Sequence, residues 1–187
     1  MRTADLDDLA ALMLDAASGA AAPAEQLLAE TSAALHPERA LTLALADAAR
    51  DALNALPARL AEDESAGARE IVRVACDMPD ALAWRPLAPG VRFLKLGVAN
   101  ARLVRIVGTA GLLTHDHTGE ERTLVLAGAY RDGDIIYEPG DMAFASVGDA
   151  HAPRALAGQD CICLVAARGR MKFNNPLARI AARLLWD

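Results

Sequence analysis

Apolar residues in the first third of the chain recur at helical spacing. They predict three helices, whose apolar faces run over residues 6–13, 27–35 and 41–56. Thr3 is placed to cap the first helix, and Pro23 suits the first turn of the second. Glycine or proline ends each helix, at Gly19, Pro37 and Pro57. Residues 62–70 are charged or small and lack a period, so we predict a linker there.

The pattern changes after residue 70. Valine, glycine, threonine and aromatic residues become more frequent, and turn signals recur about every 8–12 residues, as in all-β domains. The predicted strands lie near residues 71–75, 91–96, 102–108, 121–130, 134–138, 142–145 and 160–167. Asn175 and Pro176 then begin a C-terminal helix whose apolar face runs to Leu185.

These two patterns predict an α+β protein. A small N-terminal helical bundle (residues 1–66) precedes an antiparallel β-barrel of the jelly-roll type with a C-terminal helix (residues 70–187). Residues 124–127 and 161–164 are apolar on both faces of their strands. In a sheet with one solvent-exposed face, apolar and polar residues alternate along each strand. We therefore expect the helical domain, the C-terminal helix or a second subunit to cover the outer face of the barrel.

Three of the four histidines belong to one pattern. His115 and His117 are two positions apart, so in a strand they share a face about 6.6 Å apart, at ~3.3 Å per residue. A turn at residues 118–119 would return Glu121 beside them, and a later hairpin could return His151. Isolated histidine pairs are more often surface or core residues, but the joint pattern predicts a metal site. Three imidazoles and one carboxylate suit zinc, iron, manganese or nickel.

Charge is distributed unevenly along the chain. Residues 1–70 hold 13 acidic and five basic side chains, while residues 71–187 hold 12 and 14, within a net charge of −6. The acidic third argues against nucleic acid as a direct ligand and is compatible with a basic protein partner. No stretch approaches the ~18 apolar residues of a membrane helix, and the N-terminus lacks the apolar segment of a signal peptide.

The cysteines indicate a reducing compartment. Cys76, Cys161 and Cys163 are too few for a disulfide framework, so we expect a cytoplasmic protein. Cys161 and Cys163 share a face of one strand. They could form a redox pair, but packing as small apolar side chains is the favoured interpretation.

Several segments resemble the cupin family. The pattern G-x-x-x-H-x-H-x-x-x-E-x-x-x-x-x-x-G, which begins at Gly111, is similar to a shortened first cupin motif, and residues 140–151 resemble the second. Ser146 and Ala155 stand where cupins often have proline and asparagine. A closer similarity, over roughly residues 80–187, is to the C-terminal domain of ChrR-type anti-sigma factors. It is carried by THDHTGEERTLVLAGAYRD, HAPRALAGQDCICLVA and MKFNNPLARI.

The resemblance implies a metal-sensing regulator. In that family a cupin-like domain binds zinc through the residues that match His115, His117, Glu121 and His151. A preceding helical domain holds an extracytoplasmic-function sigma factor inactive. The implied partner of this chain is therefore such a sigma factor, with no direct nucleic acid and no membrane.

The helical domain departs from the family pattern. Family members typically carry H-x-x-x-C-x-x-C there, at the positions of Ser32, His36 and Arg39. Serine is a poor zinc ligand and arginine stays protonated, so we expect this second zinc site to be lost and His36 to be a helix-end residue. The helices could still bind a sigma factor, or they could form a plain bundle or a homodimer interface.

We expect a transcription regulator without catalytic residues. Four protein ligands leave little room on a tetrahedral zinc ion, which favours a structural or sensing role. The alternative is a cupin-type metal-dependent enzyme, a dioxygenase or isomerase, in which an octahedral iron keeps open positions for oxygen and substrate. A metal-stabilised module that binds a small ligand without catalysis is a third interpretation.

Overall fold

Two of the predicted helices are confirmed. The computed structural model describes residues 2–3, 6–36 and 62–173 of the chain. Helices α1 (Leu6–Ser18) and α2 (Pro23–Leu35) match the helical pattern, and Pro23 opens α2 as expected. The helices predicted over residues 41–56 and after residue 175 lie outside the described residues. None of the helices in the described part of the chain is long and apolar enough to cross a membrane.

The predicted linker and the first predicted strand are wrong, because these residues form one helix, α3 (Glu62–Asp77). Its buried face consists of small or branched residues at helical spacing, namely Ala68, Val72 and Ala75. On the exposed face Arg73 pairs with Glu70 and Asp77, one turn away on either side. The charged residues that were predicted to form a linker therefore lie on the solvent-exposed face of a helix. Helix α3 also crosses the domain boundary that the sequence predicted between residues 66 and 70. A short 3-10 helix (Pro79–Ala81) follows.

The described residues also form twelve strands, which pair antiparallel. They are β1 (Arg2–Thr3), β2 (Arg85–Ala88), β3 (Val91–Lys95), β4 (Ala101–Ile106), β5 (His115–His117), β6 (Glu121–Ala127), β7 (Tyr130–Asp132), β8 (Ile135–Tyr137), β9 (Met142–Ala145), β10 (Arg154–Ala155), β11 (Cys161–Ala167) and β12 (Met171–Phe173). Seven of them form one sheet in the order β1-β9-β6-β11-β4-β3-β2, beside a sheet β10-β7-β8 and a pair β12-β5. Thr3 lies in β1 opposite Ala143, so the prediction that it caps α1 is wrong.

The seven-stranded sheet is buried on both faces. On one face Leu124 and Leu164 pack with Leu28 of α2 in a core that includes all three helices. On the other face Val125 and Cys163 share a second core with residues of the small sheet. The helices therefore cover the outer face of the sheet, as the strands with two apolar faces predicted. Burial of each such leucine contributes about 1.5–3 kcal/mol.

A buried carboxylate connects α2 to the ends of two central strands of this sheet, β6 and β11. Glu25, in the first turn of α2, is only 8% exposed. It accepts a hydrogen bond from the backbone N–H of Ala22, at 3.0 Å, and one from Arg168 Nη2, also at 3.0 Å. Its other oxygen pairs with Arg122 of β6. We call Glu25, Arg122 and Arg168 the α2 clamp.

Candidate metal centre

Three imidazoles converge at one place between the sheets. One ring nitrogen from each of His115, His117 and His151 lies within 4.8 Å of the other two. The Nε2 atoms of His117 and His151 are only 2.9 Å apart. All three side chains are at most 5% exposed. The structure thus brings together the three histidines that the sequence pattern selected.

Strand pairing accounts for this convergence. His115 and His117 are the two ends of β5, which pairs with β12, so both point to the same side. The backbones of His115 and His151 exchange two hydrogen bonds, of 3.0 and 2.9 Å. This bridge places the third imidazole directly opposite the first, although the two residues are far apart in sequence.

Glu121 lies beside the three histidines. It begins β6 just after the turn, and its Oε2 is 3.6 Å from His117 Nε2. Its Oε1 accepts a hydrogen bond from the Thr123 hydroxyl at 3.3 Å. Glu121 is 8% exposed, so its carboxylate faces the interior. A small shift of Oε2 would add an oxygen donor to the three nitrogens.

Neighbouring oxygens lie beside the Nδ1 atoms of two imidazoles. His115 Nδ1 donates to the carbonyl of Leu113 at 2.9 Å, which leaves its Nε2 available as a ligand. His151 Nδ1 lies 3.4 Å from Asp132 Oδ2, and the other oxygen of Asp132 accepts from the backbone N–H of Ala152 at 2.9 Å. Such carboxylate and carbonyl partners typically fix metal-binding histidines. Sequence reasoning missed Asp132, because it assigned this residue only to a turn with Gly133.

The electrostatics of the site suit a metal ion. Burial and the nearby His151 together lower the pKa of His115 to about 4. Burial and His151 likewise lower the pKa of His117 to about 4. Both rings are therefore neutral near pH 7, with a lone pair free to bind a cation. Three imidazole nitrogens and one carboxylate oxygen are a donor set that fits zinc, iron, manganese or nickel.

The turn between the predicted ligands has no room for a side chain. A Cβ at Gly119 would lie 2.1 Å from the carbonyl oxygen of Arg168, so the two backbones touch here. We expect Gly119→Ala to push this turn away and to displace His117 or Glu121. The expected result is at least a tenfold weaker metal affinity with the four ligands intact, measured by competition with a chelator.

Gly133 provides the control for this prediction, because a Cβ there meets nothing within 4 Å. Its φ of +59° adds modest strain of its own, so Gly133→Asn, which tolerates this conformation, is the suitable change. Equal metal affinity in Gly119→Ala and Gly133→Asn would show that the contact between residue 119 and the Arg168 carbonyl does not position the predicted ligands.

The two cysteines of β11 behave as packed thiols. Their sulfur atoms are 3.7 Å apart and both side chains are buried. A hydrogen bond between the Cys163 thiol and Cys161 Sγ, together with burial, raises the pKa of Cys163 well above its usual value. The thiolate needed for disulfide exchange or metal binding is therefore disfavoured, which supports the packing interpretation.

Of the three residues at the family's N-terminal zinc positions, the two that the structure describes, Ser32 and His36, belong to no group that could hold a metal ion. Ser32 is fully buried, and His36 is the C-cap residue of α2, as expected for a helix-end histidine. The His36 ring packs against Gly140, where a Cβ would come 2.0 Å from Nε2. Arg39 lies outside the described residues. In the part of the chain that the structure describes, His115, His117 and His151 are the group that could hold a metal ion.

Comparisons with known proteins agree with these features. Residues 72–170 match the family described as the ChrR cupin-like domain. The chain is 36% identical over 170 residues to the anti-sigma-E factor ChrR of Cereibacter sphaeroides, which covers 89% of this chain and 76% of that protein. It also superposes on a chain in the crystal structure of Rhodobacter sphaeroides SigE in complex with the anti-sigma ChrR. That match has a TM-score of 0.69 and 30% identity, over 85% of this chain and 96% of the other.

Proposed function

Since this chain belongs to the ChrR cupin-like family, we propose that it is an anti-sigma factor with a metal-dependent sensing domain. Its N-terminal helices bind an extracytoplasmic-function sigma factor, and its cupin-like domain controls that binding in response to a signal. The observation that carries this proposal is the extent of the similarity. It spans 89% of the chain, so it extends well beyond the cupin-like domain at residues 72–170 and into the helical part.

The metal centre holds one divalent ion through His115, His117, Glu121 and His151. Zinc is the preferred metal, because three nitrogens and one oxygen complete a tetrahedral shell, which is typical of structural and sensing sites. Iron, manganese and nickel accept the same donors. The ion, when bound, supplies a fixed charge that joins β5, β6 and the segment at His151. In this proposal the three sheets close around it as a jelly-roll barrel.

This arrangement favours a regulator over the alternative of a dioxygenase or isomerase. The relatives that match over most of the chain are named as anti-sigma factors. We place the protein in the cytoplasm, where a sigma factor acts.

The outer surface of the helices is the proposed contact for the sigma factor. Packing on the sheet and the α2 clamp hold α1 and α2 in place, so a zinc ion at Ser32 and His36 is not needed for this. Leu14 on α1 is 57% exposed and Leu35 on α2 is 40% exposed. The acidic charge of the first 70 residues complements a basic, DNA-binding sigma surface.

Co-expression with a sigma factor encoded beside this protein tests the proposal. We expect the two chains to co-purify as a stable complex and the complex to be inactive in promoter-dependent transcription. Leu14→Asp is expected to weaken the complex at least tenfold in a titration, because it places a charge in an apolar contact. Ile136→Asp is the matched control, since Ile136 is 45% exposed on the small sheet, across the large sheet from the helices. Failure to form any complex would overturn the proposed function.

A further inference from the structure

The cavity beside the histidines has the properties of a ligand site. We propose that it binds a small carboxylate with an apolar chain, and that the carboxylate lies between the metal ion, Arg102 and Tyr130. This inference rests on the metal centre of the proposed function and names the class of molecule that its domain recognises.

The cavity lies between the seven-stranded sheet and the segments that carry the histidines. Its empty volume is about 500 Å³, which includes space open to solvent. His115, His151 and Glu121 line one part of it. Most of the remaining wall is apolar, formed by Leu87, Val104, Ile106, Leu112, Val165 and Met171. An apolar wall with a few polar groups gathered at one place is typical of small-molecule sites.

Tyr130 supplies an unsatisfied polar group to this cavity. Its side chain is 1% exposed, and its hydroxyl has no hydrogen-bond partner among the described residues. The ring is held by stacking on Tyr137, with centroids 4.8 Å apart. A buried hydroxyl without a partner is unfavourable, so such groups usually find a ligand or a water molecule. Here the hydroxyl can donate to an oxygen of a bound carboxylate.

Arg102 supplies the charge that selects an anion. It lies on β4, lines the same cavity, and is close enough to Glu121 for the two charges to interact. With a divalent ion bound, the ion and Arg102 together carry three positive charges against the two negative charges of Glu121 and Asp132, whose Oδ2 lies 3.4 Å from His151 Nδ1. The surplus of one positive charge favours an anion over a neutral molecule.

The apolar side chains of the cavity wall determine which kind of molecule fits beyond the carboxylate. Sugar phosphates need polar partners along their whole length, which the six apolar side chains do not offer. A saturated chain is matched by these side chains, and its transfer from water contributes about 0.8 kcal/mol per CH₂. A monocarboxylate of medium length satisfies the charged end and the apolar wall together.

Calorimetric titration of the zinc-loaded full chain tests this inference. The probes are octanoate, octan-1-ol and acetate. We expect saturable binding of octanoate, with octan-1-ol at least tenfold weaker because it lacks the charge, and acetate at least tenfold weaker because it lacks the chain. Octan-1-ol that binds as well as octanoate would overturn the proposal, as would the absence of octanoate binding.

Variants then test the two polar residues. Arg102→Gln and Tyr130→Phe are each expected to weaken octanoate binding about tenfold, whereas Arg102→Lys keeps the charge and retains part of the affinity. Arg92→Gln is the matched control, because Arg92 is exposed on neighbouring β3 and should change nothing. Circular dichroism identifies a variant that fails to fold, and the comparison of the three probes on the unmodified chain remains decisive in that case.

Zinc content and sigma-factor binding, measured on the same preparations, separate the two proposals. A preparation that holds zinc and binds the sigma factor but ignores octanoate contradicts the carboxylate site alone. A preparation that binds neither zinc nor the sigma factor contradicts the proposed function.

Discussion

Simultaneous replacement of His115 and His117 by alanine is expected to abolish metal binding. It removes two of the three convergent nitrogens, and a single imidazole with one carboxylate does not retain a transition-metal ion against a chelator. We expect the metal content, measured by mass spectrometry of the purified chain, to fall from about one ion per chain to nearly none. The folded state also loses the stabilisation that binding provides.

The expected loss of stability is large. A metal present at about 1,000 times its dissociation constant stabilises the folded state by about 4 kcal/mol. For a chain of this size each kcal/mol corresponds to about 2–4 °C in Tm, so the double variant should melt about 8–16 °C lower. Removal of the ion from the unmodified chain by a chelator should produce a similar shift, and the double variant should then show no further effect of the chelator.

His36→Ala is the control, because His36 is the one histidine outside the predicted metal centre. It is expected to leave the metal content unchanged. Metal that persists in the His115 and His117 double variant, or that is lost equally in His36→Ala, would show that the ion lies elsewhere.

Glu25→Ala is expected to loosen α2 from the sheet and to have the largest effect of any single change on the helical surface. It leaves Arg122, whose side chain is only 22% exposed, without its buried carboxylate partner. Breaking a fully buried ion pair costs about 3–5 kcal/mol. Because Arg122 and Arg168 both retain some contact with water, we expect about 2–4 kcal/mol for this variant. Urea denaturation measures it as a lower midpoint with an unchanged slope.

Glu30→Ala is the matched control on the same helix. Glu30 pairs with Arg69 of α3, but the two side chains are 29% and 49% exposed. Pairs of this kind contribute about 0–1 kcal/mol, so this variant should be close to the unmodified chain. Equal costs for Glu25→Ala and Glu30→Ala would mean that the α2 clamp contributes nothing beyond an ordinary surface pair.

The position of the α2 clamp connects it with the proposed regulation. Arg122 follows Glu121 directly on β6, so neighbouring side chains of one strand point to the α2 clamp and to the metal centre. The backbone N–H of Arg168 also donates to the carbonyl of Glu120 at 2.8 Å. Glu25→Ala should therefore also weaken binding of the sigma factor, because α2 carries part of the proposed contact surface.

The spacing of residues along the chain was sufficient to predict several helices and strands of this protein. The periods of apolar residues predicted α1, α2 and most strands of the large sheet, because each buries a face whose spacing the backbone geometry dictates. His115 and His117 were recognisable as a pair of candidate ligands, because residues two positions apart in a strand lie on the same face. Spacing also placed Glu121 and His151 near this pair, and the similarity of residues 80–187 to a known family implied the same four ligands.

Other features could not be read from spacing. The charged outer face of α3 hid its helical period, since a solvated helix and a linker share the same composition. Strands β5 and β12 have three residues each, too few for a period to be detected. Asp132 and Tyr130 precede a turn, and nothing in their local sequence indicates that one reaches His151 and the other the cavity.

The sequence by itself determined which side chains could bind a metal and which strand faces had to be buried. These properties depend on residue chemistry and on neighbours within a few positions. The tertiary structure was needed to show that the His115 and His151 backbones pair, that Glu25 meets two arginines far from it in sequence, and that Arg102 and Tyr130 share one cavity. Such contacts join residues far apart in the chain, so they depend on the packing of whole sheets and helices rather than on local preference.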